Sequence, residues 1–313
     1  MTELDIDALV EGAVTSIAKM PSGAFLGEED PSVKIALFGP PGSGKTRVIV
    51  DLLLLGERLF VVSSDPGGNG LATVRNELKR LKRLDLLKNI FYVDVTEFVP
   101  MVALWNDPYK HYGDALKKLD PTIAMWEGFS SFQVQSIDEY VMPDQLRPEK
   151  GGDDKYDYWD KVRRASMRVH GKFLAARGRV VVDGKYVTEV DDETGESYYV
   201  TYPWHHILTC HEQEAQDANS QQKRKASPDR PWVQGQASKM IEAAYDLIIQ
   251  TSLDEDEFDF ASGTTKLVYK YRVSAPSKET RVKSRGYDLP SEFPASMSRV
   301  WKEVTGRSES NNE

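Results

Sequence analysis

The chain predicts an α/β fold, a mainly parallel sheet flanked by helices, and three observations carry that prediction. A glycine-rich loop stands between a short apolar run and a helical run, at Lys34-Ile-Ala-Leu-Phe-Gly-Pro-Pro-Gly-Ser-Gly-Lys-Thr46. Apolar runs of strand length then alternate with helical patterns along most of the 313 residues. Several of those runs end in an acidic or polar residue, as at Asp65, Glu127 and His211. Alternation of this kind needs crossover connections, and crossovers produce parallel strands with helices on both faces.

The first core strand reads over 33–38 and the following helix over 48–55. Between them Gly39-x-x-x-x-Gly44-Lys45-Thr46 has the full phosphate-binding spacing. Glycines let successive backbone N–H groups turn inward around a polyphosphate. The helix beginning near Gly44 adds its positive dipole end. Lys45 can reach the β- and γ-phosphates, and the Thr46 hydroxyl can hold Mg²⁺. The nucleotide-binding set is therefore Gly39, Pro40, Pro41, Gly42, Ser43, Gly44, Lys45, Thr46 and Arg47, with ATP and Mg²⁺ as the cofactors.

A second buried strand covers 58–64 and is closed by Asp65-Pro-Gly-Gly68. A basic amphipathic helix follows over 71–87, a third strand over 89–95, and a helical stretch over 99–119 broken near Pro108. A fourth strand runs 121–128, a long helix 158–177, and a β-hairpin excursion 178–199 with turns at Asp183-Gly184 and Glu193-Thr-Gly195. The fifth core strand is His205-His-Ile-Leu-Thr-Cys210. A polar segment over 212–229, a helix over 237–245 and strands over 246–251 and 264–273 complete the pattern. Residues 1–30 read as a leading helix and linker. Residues 31–290 read as one elaborated domain with its excursion at about 178–200, and 291–313 as a partly disordered tail.

Three strand-end residues are candidates for chemistry. Ile123-Ala-Met-Trp126 followed by Glu127 fits four apolar residues and then a metal-holding acid, so Thr46 and Glu127 form the metal set. Asp65 stands where active sites of open α/β sheets lie, and its carboxylate can orient an attacking water. Asp-Pro-Gly is equally ordinary turn chemistry. His211 can contact a γ-phosphate or the water and so sense the nucleotide; a structural histidine is the alternative. His205 and His206 do not make a zinc site with it, because adjacent strand residues point to opposite faces and no Cys-x-x-Cys accompanies them. The catalytic set is Lys45, Asp65, Glu127 and His211.

Bulk properties bound the setting. A net charge of −9 counts against a nucleic-acid coat protein, which is normally basic. No apolar run approaches the roughly 18 residues a membrane helix needs. The single Cys210 excludes an internal disulfide, and the acidic N-terminus lacks a signal-peptide pattern. A cytoplasmic location is expected.

The order of motifs resembles the RecA-like ATPases carried by bacteriophages, which include single-strand annealing and recombination ATPases. The resemblance rests on the loop at 34–46, the acid before Pro-Gly at Asp65-Pro66-Gly67, the apolar strand ending in Glu127, and Thr209-Cys-His-Glu212. It covers about residues 34–289, without the excursion. It implies that Asp65 is the catalytic carboxylate, where the family usually has Glu. It also implies that two loops face DNA, within 134–157 and 212–232. The second contains Lys223, Arg224, Lys225 and Arg230, with Trp232 at its border. Single-stranded DNA, a homo-oligomer and a single-strand DNA-binding protein are the implied partners. A basic residue of one subunit would complete the next one's site, with Lys270, Arg272, Lys283 and Arg285 as candidates. Alternatives are a nucleotide or small-molecule kinase with Arg163, Arg164 and Arg168 as its lid, and a non-catalytic nucleotide-gated assembly module.

Overall fold

The computed structural model describes residues 32–65, 69–133, 154–191, 194–213, 230–231, 237–259, 264–273, 282–284 and 286–306. The expected class is the class observed, an α/β fold with a mainly parallel sheet flanked by helices. The chain runs β1 (Lys34–Gly39), α1 (Arg47–Leu54), β2 (Leu59–Ser63), α2 (Asn69–Arg80), a 3-10 turn (Leu84–Asn89), β3 (Ile90–Asp94), α3 (Phe98–Asn106) and α4 (Pro108–Leu119). It continues with β4 (Ile123–Glu127), α5 (Phe129–Phe132) and α6 (Asp154–Ala175). The excursion supplies β5 (Arg177–Arg179), β6 (Val181–Val182), β7 (Lys185–Tyr186), β8 (Thr188–Val190), β9 (Ser197–Tyr199) and β10 (Thr201–Pro203). Then come β11 (His205–Gln213), β12 (Arg230–Pro231), α7 (Ala237–Ala244), β13 (Leu247–Asp259), β14 (Thr264–Arg272), β15 (Lys283–Ser284), β16 (Glu292–Pro294) and α8 (Met297–Thr305).

The main sheet has the order β16-β14-β13-β1-β11-β4-β2-β3. Strands β3, β2, β4, β11, β1 and β13 are mutually parallel, while β14 pairs antiparallel with both β13 and β16. The near-continuous apolar strands follow from burial on both faces. Along β1, Ala36 and Phe38 enter one core with Trp105, Phe173 and Trp204, while Ile35 and Leu37 enter the other with Val48, Leu52 and Trp301. The central position of β1 brings its loop between the carboxyl ends of β11 and β13.

Local chemistry sets the element ends. The break expected near Pro108 is a change of helix. Asp107 ends α3 and its carboxylate accepts from the Tyr109 and Lys110 N–H groups at 3.1 and 3.2 Å, with Pro108 in the first helical position. The long helix begins at Asp154, four residues before the expected start. In the excursion, Asp183 and Gly184 both have positive φ (50° and 71°), the hairpin turn their sequence signals.

The boundary at 290 needs correction. Residues 292–294 form β16 on the edge of the sheet, and α8 buries Met297, Val300, Trp301 and Val304. These positions repeat at helical spacing and supply an apolar stripe too large to leave exposed. Trp301 Nε1 donates to Glu57 Oε1 at 2.8 Å, and the Met297 N–H to Asp51 Oδ2 at 3.0 Å, which fix α8 against the start of β2 and against α1. The leading helix and linker expected over 1–30, Glu193, and the tail from 307 lie outside the described residues. No described helix is long and apolar enough to cross a membrane.

Candidate active site

Four strand ends converge. β1 delivers the glycine loop, β2 delivers Asp65, β4 delivers Glu127, and β11 delivers His211. Within the loop Gly42 and Gly44 have φ of 79° and 89°, a region that disfavours residues with a Cβ. Gly39 is required for another reason, since a Cβ there would fall 2.3 Å from the Thr251 carbonyl oxygen. Thr251 closes that side: its hydroxyl donates to the Phe38 carbonyl at 3.2 Å and is 2.6 Å from Ser43 Oγ, so Ser43 is the donor in that pair. Pro40 and Pro41 are exposed, as is Arg47 at the start of α1.

Lys45 curls over the loop and donates to the carbonyl oxygens of Gly39 and Pro40 at 2.7 and 2.8 Å. Burial lowers its pKa, while Cys210, Asp65, Glu212 and Glu127 around it oppose that. The Cys210 thiol is itself pushed up to about 12 by burial, so it is a neutral packing group here. The loop thus carries one ammonium on a glycine-rich backbone, which fits a polyphosphate.

Thr46 donates its hydroxyl proton to Glu127 Oε1, and Tyr92 donates to Glu127 Oε2 at 3.2 Å. Glu127 is 3 % exposed, and burial raises its pKa while the Thr46 bond holds it down. The extra methylene of Glu, compared with Asp, lets the carboxylate reach Thr46 directly. Two oxygen donors at one point suit a hard cation such as Mg²⁺. Gly70, in the first turn of α2, allows this packing, because a Cβ there would lie 2.5 Å from the Tyr92 hydroxyl and 2.6 Å from Glu127 Oε2.

Asp65 is held from the other side of β4. Ser131 Oγ donates to Asp65 Oδ1 at 2.7 Å, and the same Oγ is 3.2 Å from His211 Nε2. The turn after β4 is tied to both neighbouring strands. Ser64 Oγ lies 3.1 and 3.0 Å from the Glu127 and Gly128 carbonyl oxygens, Gly128 N–H donates to Thr209 Oγ1 at 3.0 Å, and His211 N–H donates to Ser130 Oγ at 2.9 Å. Burial and Lys45 lower the His211 pKa, with Asp65 opposing, so the imidazole is held toward its neutral form.

No family model and no curated protein sequence matches the chain. Among solved structures, the flagellar accessory protein FlaH from Methanocaldococcus jannaschii aligns with 84% of this chain and 84% of its own length, at 10% identity and a TM-score of 0.36. A likeness of that size says nothing of activity, and the reading of the site stands on its own residues.

The structure therefore brings Lys45, Thr46, Glu127, Asp65 and His211 together. Other expected residues lie apart from it. Lys270 pairs with Asp254 and Glu292 at 3.4 and 3.7 Å, and Arg272 with Glu292 at 2.9 Å. Lys283 donates to the Glu242 and Tyr245 carbonyl oxygens at 2.8 and 2.5 Å, at the end of α7. These three cations have partners within their own chain, and Arg285 lies outside the described residues. Arg163 and Arg164 both pair with Asp160 at 2.5 Å within the helix α6. His205 and His206 point to opposite faces, toward Trp301 and Phe173 respectively. Lys223, Arg224 and Lys225 lie outside the described residues, and Arg230 is placed only by its backbone, paired with Gln213.

Ser131, Tyr92, Thr251, Gly70 and Tyr269 were not legible as site residues. The Tyr269 ring covers Gly44, within 3.0 Å of where a Cβ would stand. The alternating strand pattern around Tyr269 and Tyr271 was the one available signal, since both fall on the face that carries α1.

Proposed function

We propose that the chain is a Mg²⁺-dependent ATPase of RecA-like type that acts on single-stranded DNA. The observation that carries the ATPase reading is the convergence of Lys45, Thr46, Glu127, Asp65 and His211 at the ends of four adjoining strands. The glycine loop and Lys45 bind and orient the triphosphate. Mg²⁺, when bound, supplies charge neutralisation at the phosphates, and Thr46 and Glu127 would hold it. Asp65 accepts a hydrogen bond from the attacking water and aims it, and His211 reads the γ-phosphate position.

The DNA reading has a topological support. β11 runs past His211 to Gln213 and pairs antiparallel with Arg230–Pro231. Gln213 and Arg230, the described residues that flank 214–229 with its Lys223, Arg224 and Lys225, are therefore paired two residues from His211. Cations on such a segment meet phosphates, and a ligand bound there acts on the end of β11. A role in phage recombination, annealing or replication, and assembly as a homo-oligomer, follow from the resemblance and belong to the same proposal.

The test is ATP hydrolysis with and without single-stranded and double-stranded DNA, for wild type, Lys45→Ala, Asp65→Asn and the triple change of Lys223, Arg224 and Lys225 to Ala. Lys45→Ala abolishes turnover. Asp65→Asn keeps ATP binding and slows hydrolysis on the order of 10²-fold. The triple variant keeps basal turnover and loses stimulation by single-stranded DNA. A chain whose turnover ignores DNA, or a triple variant that binds DNA as wild type at every salt concentration, sinks the DNA role.

A further inference from the structure

We propose that Ser131 is a positioning residue that carries the state of His211 to the carboxylate of Asp65. The inference rests on the ATPase reading above. Its basis is a run of two hydrogen bonds, Asp65 Oδ1 to Ser131 Oγ at 2.7 Å and Ser131 Oγ to His211 Nε2 at 3.2 Å.

Counting protons fixes the direction of this chain. An ionised carboxylate only accepts, so the single Ser131 hydroxyl proton goes to Asp65. Ser131 Oγ then accepts from His211, which carries its proton on Nε2. The order is His211 Nε2–H to Ser131 O–H to Asp65 Oδ1, and a neutral His211 keeps Nδ1 as its acceptor nitrogen. The tautomer is set by Ser131.

The geometry around the chain makes it responsive. An Asp side chain has two torsions, so fixing Oδ1 also fixes where Oδ2 points. Gly128, at φ 81°, permits the close approach, because a Cβ there would lie 2.3 Å from Asp65 Oδ1. Ser131 sits on α5, one turn after β4, and the neighbouring Ser130 holds the His211 backbone N–H at 2.9 Å. His211 is thus gripped by its backbone and by its ring from one short turn. A displacement of the end of β11 moves the ring and the turn together, and Ser131 turns that movement into a rotation of Asp65. The sequence gives no hint of this, since Phe-Ser-Ser-Phe is an unremarkable run after a strand.

The test uses the full chain with ¹⁵N-labelled histidine. The variants are Ser131→Ala, Ser131→Thr, His211→Ala and Ser131→Ala with His211→Ala. Loss of one aligned hydrogen bond lowers kcat about tenfold with KM little changed, and Ser131→Thr restores most of it. The double variant falls no further than the more damaged single one, because both changes cut one chain. In the nucleotide-free protein, the His211 ring resonances of Ser131→Ala move from the Nε2–H form toward a mixture, and those of Ser131→Thr do not. Should Ser131→Ala fold poorly, Ser131→Cys keeps the size and weakens the donor, and the same shifts are read from it. Unchanged His211 resonances, or losses in kcat that multiply in the double variant, overturn the proposal. A wild-type chain with no turnover whose His211 ring still responds to Ser131→Ala sinks the ATPase reading and supports the hydrogen-bonded chain.

Discussion

The Tyr92 phenol donates to Glu127 Oε2 at 3.2 Å from a strand two positions away in the sheet. Thr46 occupies the other oxygen, so the Glu127 carboxylate is held by donors on both sides. Two donors remove the freedom that the longer side chain would otherwise have. Tyr92→Phe removes one donor and keeps the ring. The Mg²⁺ concentration for half-maximal turnover then rises several-fold, while ATP affinity measured in EDTA stays as in wild type. A titration of Mg²⁺ at saturating ATP reads the first and equilibrium binding the second. Identical Mg²⁺ curves would reduce Tyr92 to a packing residue.

Gly128 tests how tightly Asp65 is placed. Its φ of 81° costs a residue with a Cβ about 1–2 kcal/mol, and the Cβ would also meet Asp65 Oδ1. Gly128→Ala therefore lowers the unfolding midpoint and displaces the carboxylate. Turnover falls by more than the loss of folded protein explains, and ATP binding persists because the loop at 39–46 is untouched. Parallel measurement of thermal unfolding, ATP binding and hydrolysis separates the two effects. Full turnover in a folded variant would show that Asp65 need not sit where it does.

The parts of this site that were legible in the sequence are those fixed by local patterns. The spacing from Gly39 to Thr46 and the apolar runs before Glu127 and His211 need only near neighbours to be recognised. Ser131 and Tyr92 act through sequence separations of 66 and 35 residues, to Asp65 and Glu127, and only the strand order reveals them. The partners of Lys270, Arg272 and Lys283 within the chain were illegible for the same reason. Their spacing advertises charge, while the partners Glu292, Asp254 and the α7 carbonyls come from elsewhere in the chain. The end of the domain was missed differently. Met297, Val300, Trp301 and Val304 do carry a helical stripe, but a short amphipathic segment after a polar stretch does not announce the groove that receives it.

Arg179 is one of the residues that fasten the excursion to the domain. Its guanidinium lies 4.0 Å over the Tyr199 ring and 4.8 Å over Tyr109, and it pairs with both oxygens of Asp107 at 3.0 Å. A planar cation satisfies rings and a carboxylate together, which a lysine ammonium cannot. Its side chain is 17% exposed, so the pair is only partly screened. Arg179→Lys is expected to cost about 1–2 kcal/mol. Limited proteolysis detects the loosened excursion, with cleavage between 180 and 200 preceding loss of the core. Basal turnover is retained, since none of these residues touches the loop at 39–46. Equal proteolytic resistance in the two proteins would mean that Tyr186 and Tyr202, whose hydroxyls donate to the Gly113 and Pro121 carbonyls and to Asp120, secure the excursion without the guanidinium.

Two buried histidines cost stability in acid. Burial lowers the pKa of His170 to about 4 and that of His206 to about 3, against an ordinary value near 6.5. His170 Nε2 lies 2.9 Å from the Tyr245 hydroxyl, and His206 packs edge-on to Phe173 at 5.1 Å. Below about pH 6.5 the unfolded chain takes up protons at both positions and the folded chain does not. Stability therefore falls as the pH drops from about 6.5 toward 4, and the contribution flattens once the folded pKa values are passed. Glu127 and Asp51 act in the opposite sense, since burial raises their pKa values and the folded state binds those protons more readily in acid. His206→Leu removes one proton uptake, and with it about 2–3 kcal/mol of the difference between pH 7 and pH 4.5. Urea unfolding of both proteins at the two pH values measures this. The variant loses less stability on acidification than wild type does. Parallel losses would place a proton on His206 already in the folded state, contrary to its burial between Phe173 and the sheet.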